Sequence, residues 1–127
     1  MKKKVMVIPG ITEPDLPFNH VIQAGRFLFL TSQLSSDLKT GEIKGGTIPE
    51  QTQQSLDNIK FLLECCGANM DDIVKTVIYM RDLKDFDKVN EVYRKYFTKG
   101  SEPARVTMQA ISPIESIDIE IEAVAFK

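Results

Sequence analysis

The sequence predicts an α+β protein: a two-layer sandwich in which two helices cover one face of a six-stranded mixed sheet. Three observations lead there. Two segments carry one apolar stripe each at helical spacing. Six others are short and rich in β-branched, aromatic or alternating residues. Their order is three strands, helix, strand, helix, two strands. A helix with a single apolar stripe buries it against one neighbour, so two such helices belong on a sheet. The 127 residues suit one domain spanning 1–127, and a composition 43% hydrophobic and 27% charged can close a core.

Residues 3–8 read as a short strand stopped by Pro9-Gly10, and residues 11–19, with Pro14 and Pro17, as a loop. Strands follow at 20–24 and 26–31, on either side of Gly25. The unbroken run Phe27-Leu28-Phe29-Leu30 is that of a strand buried on both faces. Residues 34–46, punctuated by Asp37, Gly41, Gly45 and Gly46, form a loop or a frayed hairpin. Thr47-Ile48-Pro49-Glu50 then has the form of a capping box, with proline near the first turn. The helix it opens has Leu56, Ile59, Leu62, Leu63 and Cys66 as its stripe and Gly67 as its C-cap.

Residues 73–80, β-branched and aromatic, read as a central strand. A second helix is expected over about 85–97, capped by Asp85, with Phe86, Val89, Val92, Tyr93 and Tyr96 as its stripe and Gly100 past its end. The last strands, 104–110 and 117–126, are separated by Ser112-Pro113. Strands 26–31 and 73–80 are apolar on both faces, yet the helices cover one. The other face needs its own cover, most simply another subunit.

Several function classes are disfavoured. The net charge is −2, and the one basic cluster, Lys2 to Lys4, reads as a solvated tail rather than a phosphate-binding stripe. Val5 to Ile8 is too short for the roughly 7–15-residue core of a signal peptide. No stretch approaches the ~18 apolar residues of a membrane span. Cys65 and Cys66 are adjacent, point about 100° apart in a helix, which disfavours a disulfide between them, and lack Cys-x-x-Cys spacing. A cytoplasmic protein is therefore expected. His20 is the only histidine, which leaves no histidine cluster for zinc, and no Gly-x-Ser-x-Gly elbow accompanies it. No glycine-rich phosphate loop points to a nucleotide cofactor.

The last two strands hold the candidate chemistry. Ile117 to Ala123 alternates strictly, so Asp118, Glu120 and Glu122 share one face, either a solvated strand surface or a site. In the preceding strand Arg105, Thr107 and Gln109 share one face, and Ala104, Val106 and Met108 share the other. A guanidinium fork suits a carboxylate, because two N–H groups meet both oxygens. These residues yield an anion-binding arginine but not a reaction.

The chain resembles the RidA/YjgF family of reactive-intermediate deaminases over nearly its whole length. The segments that carry the resemblance are Lys39-Thr40-Gly41-Glu42, Gln51-Thr52 through Leu56-Asp57-Asn58-Ile59, and Asp72-Ile73-Val74-Lys75-Thr76. It continues through Asp85-Phe86, Val89-Asn90-Glu91-Val92-Tyr93, Pro103-Ala104-Arg105 and Ile119-Glu120-Ile121-Glu122-Ala123. The resemblance implies a chorismate-mutase-like fold whose sheets form the central barrel of a homotrimer, with sites between subunits and the 73–80 strand between the last two. It implies hydrolysis of 2-imino or enamine acids to 2-oxo acids and ammonia, as by a 2-iminobutanoate/2-iminopropanoate deaminase, without metal or organic cofactor. Arg105 then matches the family's carboxylate anchor and Glu120 the glutamate that acts on water.

Departures fall at substrate-binding positions. The family's Pro-Tyr-Ser-Gln is Pro17-Phe18-Asn19-His20, its Ser-Gly-Gln is Thr31-Ser32-Gln33, and Thr107 stands where cysteine or serine is usual. Phe18 lacks the phenolic hydroxyl, Ser32 adds a side chain where glycine lets the backbone approach, and His20 could supply a polar group instead. Two other activities fit such a chain: a regulatory trimer that captures 2-oxo acids without turnover, and the ribonuclease or translation-inhibitor activity attributed to some relatives. The acidic balance opposes the latter.

Overall fold

The computed structural model of the chain describes residues 2–127. Its strands are β1 (Lys4–Val5), β2 (Val21–Ala24), β3 (Phe27–Gln33), β4 (Ile73–Met80), β5 (Ala104–Gln109) and β6 (Ile119–Phe126). Two α-helices, α1 (Ile48–Cys65) and α2 (Phe86–Tyr93), complete the predicted order. The strands form one sheet in the order β1-β2-β3-β6-β4-β5. Every pair is antiparallel except β4–β5, which is parallel, so the sheet is mixed as expected.

The expected capping box opens α1. Thr47 accepts from the Glu50 amide at 3.3 Å, and Glu50 accepts from the Thr47 amide at 3.0 Å. Gly67, at φ +78°, lets the chain turn back so that the Ala68 amide reaches the Leu63 carbonyl at 2.9 Å. Several boundaries differ from the sequence reading: β3 runs on to Gln33 and β6 begins at Ile119, and three further differences have local causes. The first strand keeps only Lys4–Val5, because Ile8 turns into the core and Pro9 has no amide to pair. Asp85 makes no capping bond; Asp82 caps a short 3₁₀ turn ahead of α2 instead. The helical stretch ends in a second 3₁₀ turn at Arg94–Tyr96, so α2 itself is shorter than predicted.

The core lies between helices and sheet. Leu56, Ile59, Leu62 and Leu63 of α1 and Val89 of α2 are buried against Leu28, Leu30, Ile78, Met80, Ile119 and Ile121. The opposite face of the sheet is left open by the described residues. Phe29 is 45% exposed, Val106 41% and Met108 47%. Phe27 meets Phe126 edge-on at 5.0 Å between ring centroids. This is the apolar second face inferred from strands 26–31 and 73–80, and it runs out to the edge strand β5.

Candidate active site

Glu120 owes its surroundings to a break in strand pairing. Leu30 of β3 pairs with Ala123 of β6 but Gln33 pairs with Ile121, so β3 carries one extra residue between them. Such a bulge re-aims the side chains beside it. Ser32 sits in the bulge, and its hydroxyl donates to Glu120 Oε1 at 2.7 Å. The alternation of β6 buries Ile119 and Ile121 in the core and leaves Glu120 and Glu122 on the open face.

Glu120 and Ser32 stand between two cavities. The larger, about 590 Å³, is lined by Phe18, His20, Thr31, Gln33 and apolar residues that include Leu16, Leu38 and Ile114. The smaller, about 370 Å³, has Tyr79, Asp118, Glu122 and Ser112 on its wall beside Ile111 and Pro113. Tyr79 pairs with Glu120 across β4–β6 and donates its phenol to Glu122. That bond holds the phenolic proton in place and pushes the Tyr79 pKa up. Four candidates from the sequence, Phe18, His20, Ser32 and Glu120, therefore converge on one cavity.

Arg105 and Thr107 do not join them within the chain. Arg105 pairs with Thr76, which is fully buried and bonded to Tyr93 of α2 at 2.7 Å, so its side chain leaves the helix-bearing face. Glu120 pairs with Tyr79 and leaves the other face. The guanidinium lies over the rings of Phe86 and Tyr93, at 5.6 and 5.0 Å, and donates to Asn90 Oδ1 at 2.7 Å. Its orienting partners are thus aromatic or neutral. Among the described residues no carboxylate forms a salt bridge with it. A cation held flat by aromatic rings and bonded to an amide keeps most of its donors for an anion. Phe86, Asn90 and Tyr93 were legible from sequence only as helix positions; their service to Arg105 follows from the parallel β4–β5 pairing beneath α2.

A clamp that sequence reasoning missed fixes the approach to Glu120. Arg81 Nε meets Asp118 Oδ1 at 2.8 Å, and its terminal nitrogen donates to the carbonyls of Glu115 and Ile117. Gln51 of α1 grips Asp118 from the other side, donating to Oδ2 at 3.2 Å and accepting from its amide at 2.8 Å. The loop so tied carries Pro113 and Ile114, which line the larger cavity. Replacing Arg81 with alanine removes three hydrogen bonds around a half-exposed ion pair, with an expected loss of about 1–3 kcal/mol in urea unfolding. Unchanged stability would mean that the loop is held by its own packing. No group of three histidine, cysteine, aspartate or glutamate side chains among the described residues is placed to hold a metal.

Comparison with known proteins follows this geometry. The family described as Endoribonuclease L-PSP matches residues 11–127. A RutC family protein of Pyrococcus horikoshii is 43% identical, over 98% of each chain. A human protein named 2-iminobutanoate/2-iminopropanoate deaminase is 32% identical over 87% of this chain and 80% of its own length. The crystal structure of the YjgF gene product from E. coli superposes with a TM-score of 0.86 at 32% identity over 98% of both chains. That of E. coli TdcF with bound serine superposes with a TM-score of 0.85 at 28% identity, also over 98% of both.

Proposed function

Because this chain belongs to the Endoribonuclease L-PSP family, the RidA/YjgF proteins, we propose that it hydrolyses small 2-imino acids, or their enamine tautomers, to 2-oxo acids and ammonia. The observation that carries the reading is Arg105: a guanidinium oriented by Phe86, Tyr93 and Asn90, with no salt bridge to a carboxylate among the described residues. In the proposed site the fork holds the substrate carboxylate, which turns encounter into positioned reaction. Glu120, oriented by Ser32, takes a proton from water as its oxygen bonds to C2 of the protonated imine, whose C=N electron pair moves to nitrogen. The resulting carbinolamine carries hydroxyl and amine on one carbon. Glu120 returns the proton to the amine, and as the C–N bond breaks the hydroxyl gives its own proton to Glu120, the C2–O bond becomes a carbonyl, and the departing ammonia carries that proton away as ammonium. Phe18, His20 and Thr107 contact the substrate. Relatives named 2-iminobutanoate/2-iminopropanoate deaminase support the reaction class, and serine bound to TdcF supports a ligand of amino-acid size.

Arg105 and Glu120 leave opposite faces of one sheet, so the reading requires a site completed by a second copy. We place it in a homotrimer whose sheets close a barrel over the open face. The apolar strip from Phe29 to Val106 and Met108 supports that assembly, and Arg105 stands on the edge strand where a neighbour would meet it.

The test generates 2-iminobutanoate in situ and follows release of 2-oxobutanoate and ammonia. The expected result is acceleration over buffer at catalytic protein concentration. Binding of 2-oxobutanoate with no acceleration would favour the regulatory reading, for which the hydroxyl-free ring of Phe18 in the cavity speaks. The ribonuclease reading is opposed by the net charge of −2 and by a sequence whose one basic cluster is Lys2 to Lys4.

A further inference from the structure

His20 is held in a way that defines what it can offer a ligand. Its ring lies on the wall of the larger cavity with Phe18, Ser32 and Glu120. Three contacts fix it. The Thr31 amide donates to the His20 carbonyl at 2.9 Å, tying its backbone beside the bulge. Phe18 meets the imidazole edge-on, centroids 5.9 Å apart at 88°. Gln33, 2% exposed, brings its amide nitrogen to His20 Nδ1 at 3.2 Å and to the Thr31 carbonyl at 3.4 Å.

The Gln33 contact selects a tautomer. The Thr31 carbonyl accepts only, so the donor end of the Gln33 amide must face it, and the same NH₂ group then meets Nδ1. An amide nitrogen cannot accept, so Nδ1 must be the bare nitrogen and Nε2 must carry the hydrogen. A protonated ring would set Nδ1–H against that NH₂. Flipping the amide to relieve this would set its oxygen against the Thr31 carbonyl. Of the charged groups around the ring, Glu13 and Asp15 come from its own loop, Asp37 from the 34–46 loop and Glu120 from β6; β3 presents none. Burial nevertheless outweighs the attraction of Glu13 and pushes the His20 pKa down, in the same direction as the Gln33 contact.

We propose that His20 is a specificity-determining residue: Gln33 locks it as the neutral Nε2–H tautomer, and that N–H donates to the oxygen acquired at C2 of the substrate. The inference rests on the imine-hydrolysis reading and deepens it. With the carboxylate assigned to Arg105 and Ser32 committed to Glu120, the new oxygen at C2 needs a neutral donor, since a charged imidazole would compete for the carboxylate. The donor then distinguishes 2-oxo acids and carbinolamines from plain carboxylic acids.

Calorimetric titration of the whole protein with 2-oxobutanoate and with butanoate tests this. Wild type is expected to prefer 2-oxobutanoate, and His20→Phe, which keeps the ring against Phe18, to lose that preference by about three- to tenfold, the worth of one neutral hydrogen bond, with butanoate unaffected. Nitrogen NMR of the wild type is expected to find Nε2 protonated and Nδ1 bare at neutral pH. In Gln33→Glu, whose carboxylate can accept from Nδ1, the His20 titration is expected to move to higher pH. An Nδ1–H tautomer, or a His20→Phe protein that binds both acids as wild type does or weakens both equally, overturns the proposal while leaving imine hydrolysis standing. A wild type that binds neither acid overturns the hydrolase reading and this role with it.

Discussion

Arg105→Ala is expected to lower kcat/KM for 2-iminobutanoate hydrolysis by roughly 10²–10⁴-fold while leaving the thermal midpoint close to wild type. The size follows from what is lost: two charge-assisted hydrogen bonds to a carboxylate, each worth about 1.5–3 kcal/mol. The insensitivity of the fold follows from the site, since the guanidinium lies over Phe86 and Tyr93 without entering the core. Arg105→Lys keeps the charge but gives up the fork and the flat stacking surface, so it should recover only part of the rate. In steady-state kinetics the loss should appear in both KM and kcat, because in the proposed mechanism the anchor binds the substrate and also positions C2 for water. An Arg105→Ala enzyme with the wild-type rate would remove the carboxylate anchor from the mechanism.

How far the sequence could be read depended on the range of the interaction involved. The capping box at Thr47, the stripe of α1 and the strand at 73–80 were legible because each is set by residues a few positions apart. The alternation of β6 was equally legible and put Glu120 on the face away from Ile119 and Ile121. What stands beside Glu120 on that face was not, because its partner Ser32 is 88 residues away in sequence and aimed by a bulge that no local pattern marks. The Arg81–Asp118–Gln51 clamp escaped for the same reason: its members sit on three separate elements. The place of β4 between β6 and β5 came from the family resemblance alone, because a parallel pairing with β5 has no turn signal of its own.

Glu120→Gln keeps the shape of the side chain and can still bond to Ser32, but it cannot take the proton from water. The expected loss in kcat is about 10²–10⁴-fold with little change in 2-oxobutanoate affinity, the usual scale for removing a general base. The pair of variants then tests the geometry that joins the two residues. Within one chain Arg105 and Glu120 leave opposite faces of the sheet. If each site takes Arg105 from one subunit and Glu120 from its neighbour, two inactive proteins complement each other. Unfolding and reassembling Arg105→Ala and Glu120→Gln chains at equal concentration should restore about a quarter of the wild-type sites, the share in which chance pairs an intact arginine with an intact glutamate across an interface. A site contained in a single subunit would stay dead in every mixture, since no chain then carries both groups. Recovery of activity would therefore locate the catalytic pair at the interface, and a mixture as inactive as its components would leave the two residues without a common site.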